Sequence, residues 1–72
     1  MDPQAAWDEL IAAYLVGDFG RAGEFAEVLI GWLDSGGFPP RTSDKGLGEG
    51  WDRAVSRAGA EHALLRARDE TS

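Results

Sequence analysis

Apolar residues recur three and four positions apart through most of this chain, with polar breaks in two places. Trp7, Leu10, Ile11 and Tyr14 form the first run, with Leu15 at its edge. That period is the helical one, and it predicts a first helix over about 3–16. Asp2-Pro3 is a start signal: aspartate accepts an orphan amide at the N-cap, and proline at the first helical position loses no hydrogen bond. Gly17 supplies a left-handed end and Asp18 a fresh cap. A second helix is predicted over about 19–35, in which Ala22, Phe25, Leu29, Trp32 and Leu33 cluster on one face. Val28 flanks them on one side, and Phe19, Ala26 and Ile30 on the other.

The apolar arc of the second helix spans about 200°, twice the stripe of a helix with one neighbour. The second helix is therefore expected to be central. Gly20, Gly23 and Gly31 each cost it about 1 kcal/mol relative to alanine. Gly23 sits where a small residue lets two backbones approach, whereas the pattern gives Gly31 no role. Gly36-Gly37-Phe38-Pro39-Pro40 then stops the helix, with Gly37 expected as the left-handed residue and Phe38 folded back onto Leu33. Residues 36–49 read as a Gly/Pro-rich loop, and the stretch 41–50, which has no periodicity, is expected to be mobile with Leu47 as its anchor. A third helix is expected over 50–68, with Trp51, Ala54, Val55, Ala58, His62 and Leu65 on its packing face. Arg53, Arg57 and Arg68 fall opposite, and residues 69–72 form a frayed tail.

The fold class that follows is all-α, a single small domain over 1–72: an antiparallel helical hairpin with a third C-terminal helix packed on it. With 72 residues and no cysteine, the chain buries only about 60% of its unfolded surface and has no disulfide to help. Self-association is the remaining support, and a cysteine-free chain suits the cytoplasm. Met1-Asp2-Pro3 lacks the basic start of a secretory leader, and charges interrupt every apolar run, so neither secretion nor membrane insertion is expected.

The net charge of −6 is unevenly placed. Residues 1–38 hold seven acids against Arg21 alone, while 39–72 hold six acids and six bases. The arginine-bearing tail is expected to fold back on the acidic hairpin. Direct contact with nucleic acid is disfavoured, because phosphate needs a basic face.

The hairpin resembles a single tetratricopeptide repeat, through Trp7-x-x-Leu10 with Tyr14 and then Gly17-Asp18-Phe19-x-x-Ala22-x-Glu24-Phe25. The likeness covers about half the chain. The interval from Trp7 to Gly17 is one residue shorter than in that repeat, Ile11 stands where it prefers glycine, and no second copy follows. The resemblance implies helix-pairing geometry, and not the peptide-binding groove that many such repeats build together. The Asp2-Pro3 start and the ending from Trp32 to Pro40 are also similar to a group of short bacterial proteins, a likeness that carries no function.

Candidate chemistry is sparse. His62, the lone histidine, reads as a core or interface imidazole bonded to a hairpin acid, since Glu61 points about 100° away from it. Lys45-Gly46-Leu47-Gly48-Glu49-Gly50 has the spacing of neither nucleotide fingerprint and reads as a linker. Glu24 and Glu27 share a face without further ligands and read as solvated. No catalytic, cofactor-binding or metal residues are assigned, and no cofactor is expected. The reading is a non-catalytic protein-protein interaction module, self-associating through an apolar helix face, with Phe19, Ala26, Ile30, Leu33 and Trp51 as partner-binding candidates. The partner is a protein or a second copy of the chain. The alternative is an acidic regulator that occupies a basic site on another protein in the manner of a nucleic-acid mimic.

Overall fold

In a computed structural model, which describes residues 2–71 and their side chains through Asp69, three helices follow one another: α1 (Pro3–Leu15), α2 (Phe19–Asp34) and α3 (Glu49–Thr71). The all-α hairpin with a third helix packed on it is the observed architecture. α2 is the central element and packs extensively on both neighbours, whereas α1 and α3 meet at only a few points.

Local signals set the ends of the hairpin helices. The Asp2 carboxylate accepts from the Gln4 and Ala5 amides at 3.0 and 3.4 Å, and Asp18 accepts from the Arg21 amide at 3.2 Å. α1 closes with Gly17 at φ +79, where the Gly17 and Asp18 amides reach the Tyr14 and Ala13 carbonyls. α2 closes in the same paired pattern, but the left-handed residue is Gly36, at φ +89. The expectation for Gly37 is thereby corrected by one residue. Gly37 needs its missing Cβ for a different reason: a Cβ there would run into the Trp32 indole. Phe38 folds back as expected, though onto Trp32 rather than Leu33, with ring centroids 6.0 Å apart.

The core is small and rich in alanine. Ala6, Leu10 and Ala13 of α1 meet Ala22, Ala26, Leu29 and Leu33 of α2, and Ala60 and Ala63 of α3 complete it. Trp7, Tyr14, Phe25, Ile30, Trp32 and Leu64 cover its edges. The broad arc of α2 is divided between two neighbours. Its Gly23 and Asp34 flank meets Ala67 and Arg57 of α3, and Phe19, Ala26 and Ile30 lie on that flank at helical spacing. α3 thus lies along the Ile30 side of α2.

α3 differs from expectation in three respects. It runs through Thr71 rather than ending at 68, which replaces the tail expected from 69; Ser72 lies outside the described residues. Its packing face is Ser56, Ala60 and Ala63, not the face of Trp51, Ala58 and Leu65. The reason is steric. α2 and α3 approach so closely at Gly23 that only small side chains fit between them, and the Ser56 hydroxyl is satisfied by donating to the Asp52 carbonyl at 2.6 Å.

The arginines differ as well. Arg53 and Arg57 reach toward α2 instead of pointing away. Arg53 donates to the Leu33 and Gly37 carbonyls at 3.4 and 2.9 Å, at a helix end that carries no basic residue of its own. Arg57 binds Asp34 at 2.5 Å and Glu61 at 3.1 Å. The Asp34 hydrogen bond and charge, with a smaller share from Glu61, hold the Arg57 guanidinium above its ordinary value. Arg53, Arg57 and Arg66 do fold back on the acidic hairpin, as the charge asymmetry suggested.

The connecting segment is tied down by polar contacts. The Arg41 amide donates to Gln4 Oε1 at 2.8 Å, Thr42 donates twice to Asp52, and Trp32 Nε1 donates to the Phe38 carbonyl at 2.8 Å. Pro40 is fully buried. Leu47, the anchor expected from sequence, is exposed.

Candidate interaction surface

The five residues singled out by sequence are scattered by the fold. Ala26 is fully buried and Leu33 nearly so, so both serve the core of this chain and present almost no surface. Phe19 and Ile30 are half-buried. Phe19 is occupied on two sides, by the Tyr14 ring at 5.2 Å and the Arg66 guanidinium at 4.4 Å. Ile30 packs against the buried core. Only Trp51 keeps a large free area, with half of its surface exposed.

Trp51 is not isolated. Ala54, Ala58 and Leu65 are also exposed, and these four share one face of α3 at spacings of three, four and seven. His62 borders them. This is the apolar face that periodicity picked out, and it points away from the hairpin. α3 is therefore apolar on two sides: one of small residues against α2, and one with Trp51 and Leu65 toward solvent. Periodicity weighted by residue size finds the second side first. The signal for the inner side is the stripe of Ser56, Ala60, Ala63 and Ala67, which matches a glycine on the facing helix.

A groove of about 750 Å³ lies between Gln4, Trp7, Asp8 and Ile11 of α1 and residues 41–44. Its rims are joined through the Gln4–Arg41 hydrogen bonds, so it is a shallow depression with mixed polarity. The other exposed large apolar residues among the described ones are Leu15 and Val16 at the end of α1, Val28 on α2, and Phe38 and Leu47 in the connecting segment.

The lone histidine and the carboxylate beside it in sequence each have a partner. His62 stands exposed, and its Nε2 lies 2.9 Å from the Tyr14 hydroxyl. That corrects the core reading of His62 and its expected carboxylate partner. Glu61 is taken by Arg57. Among the described residues no group of three or more His, Cys, Asp or Glu is placed to hold a metal ion, and no helix is long and apolar enough to cross a membrane. No protein-family model, curated protein or solved structure matches the chain.

Proposed function

We propose that this chain is a non-catalytic protein-protein interaction module that presents the outward face of α3 to another protein chain. One observation carries the reading. The hairpin is already sealed by the small-residue side of α3, yet the opposite side holds Trp51 and Leu65 with half or more of each exposed. Apolar area left in water forgoes about 25 cal/mol per Å², and tryptophan is enriched where interfaces form.

The test is capture from lysate by the wild type and by a Trp51→Glu/Leu65→Glu variant. Both positions are exposed, so the variant should keep its helical circular dichroism while losing the captured chain. Equal capture by the two proteins would remove α3 from the reading. The alternative, an acidic regulator docked on a basic site, draws support from the exposed Asp8, Glu24 and Glu27 of the hairpin. Capture that survives the α3 variant but disappears in high salt would favour it.

A further inference from the structure

Resting on the reading of α3 as the interaction face, we propose that its occupant is a second copy of the chain, with the two α3 helices antiparallel about a two-fold axis at Ala58. The spacing carries this. Ala58 is midway between Trp51 and Leu65, so a two-fold axis there sets Trp51 against Leu65 of the second copy, at both ends of the contact. The same axis sets Ala54 against His62 of the second copy and Ala58 against itself. Each large side chain meets an apolar or small one, and no acid meets an acid.

The small centre allows the helix axes to approach to about 8 Å, with the larger residues closing the ends about 21 Å apart. An isologous contact of this kind needs self-complementarity along one helix, which this face has. Antiparallel alignment also opposes the two helix dipoles favourably.

Charge selects the same occupant. Two molecules of net charge −6 repel unless they meet away from their acids. The excess sits on residues 1–38, whereas residues 49–71 hold five acids against four arginines. The four stripe residues carry none of them. A basic partner would be drawn to the hairpin, not to this face. Two copies joined through α3 keep their acidic hairpins outward.

The chain has no cysteine, so one introduced thiol reports one position. Sedimentation of the wild type from micromolar to millimolar concentration should show a reversible dimer, and Trp51→Glu should weaken it by at least about 30-fold. Treated with a short bismaleimide, Ala58→Cys should cross-link to itself, while Glu27→Cys, exposed on α2 and off the outward face of α3, should remain monomeric. A wild type that stays monomeric at millimolar concentration overturns the proposal. So does a dimer in which Glu27→Cys cross-links as well as Ala58→Cys. A monomer that loses a captured protein on Trp51→Glu/Leu65→Glu substitution would overturn the second copy and leave the interaction module standing. If that monomer captures nothing through α3, both fail.

Discussion

Gly23 and Ala67 set the separation of α2 and α3: a Cβ built on Gly23 would lie 2.5 Å from the Ala67 Cβ. Neither Cβ can rotate away, because each is fixed by the backbone of its own helix, so any side chain at 23 forces the helices apart. Gly31, in the same helix, has nothing within 4 Å of its absent Cβ. The two positions therefore predict opposite signs. Gly31→Ala should stabilise by up to about 1 kcal/mol through helix propensity alone. Gly23→Val should destabilise by roughly 1–3 kcal/mol through overpacking. Urea unfolding of the two variants beside the wild type measures both, and equal signs would show that close approach is not what Gly23 provides.

Gly36 and Gly37 are adjacent glycines with different reasons to lack a side chain. Gly36 occupies the left-handed region, where an L-residue costs about 1–2 kcal/mol. Gly37 is not left-handed, and its Cβ would collide with Trp32. Alanine at either position should lower the melting temperature. In a Trp32→Ala background the Gly37→Ala penalty should shrink, while that of Gly36→Ala should persist. A double-mutant cycle reads the difference directly. Identical coupling at the two sites would mean that one cause serves both.

Arg53 serves the end of α2 from another helix. It bridges the Leu33 and Gly37 carbonyls, near the negative end of a helix that has no cation in its own last turn. Arg53→Met keeps most of the stem and removes the donors. It should cost about 1 kcal/mol, the usual worth of a hydrogen bond or a terminal charge. Arg53→Lys should recover only part, since an ammonium lacks the fork that spans two carbonyls. Chemical denaturation of the three proteins decides this; full rescue by lysine would reduce the role of Arg53 to its charge.

What the residues disclosed in advance follows their physics. Caps and turns are local, so Asp2-Pro3, Gly17-Asp18 and the stop after Leu33 could be read from a few neighbours, and the hairpin with them. The breadth of the α2 arc also announced two neighbours. The face of α3 could not be read the same way. Hydrophobic periodicity rewards large residues, but the closest helix contact here selected the smallest. Trp51, Ala58 and Leu65 formed the more conspicuous pattern, and Ser56, Ala60 and Ala63 formed the core. The one-residue shift from Gly37 to Gly36 has a similar origin, because two adjacent glycines leave the left-handed position undetermined until the Trp32 ring is placed. Of the expected partner residues, Trp51 alone kept a large exposed area, since α3 took the flank of Phe19, Ala26 and Ile30 for itself.

That displacement yields the sharpest contrast among single substitutions. Ile30 is half-buried on the flank of α2 that faces α3 and packs on the core. Trp51 is larger and more apolar in area, but half of it stands in water. A carboxylate at 30 would be placed against Ala-rich packing with no cation assigned to it, so Ile30→Glu should destabilise by roughly 2 kcal/mol or more and depress cooperativity of the thermal transition. Trp51→Glu lies at the start of α3, where the helix dipole favours a negative charge. It should leave the melting temperature of a dilute, monomeric sample within about 2–4 °C of wild type, the shift that about 0.5 kcal/mol produces in a domain this small. Residue size alone predicts the reverse order. If Trp51→Glu unfolds the dilute chain and Ile30→Glu does not, α3 has been placed with the wrong side inward, and the outward face proposed for partner binding disappears with it.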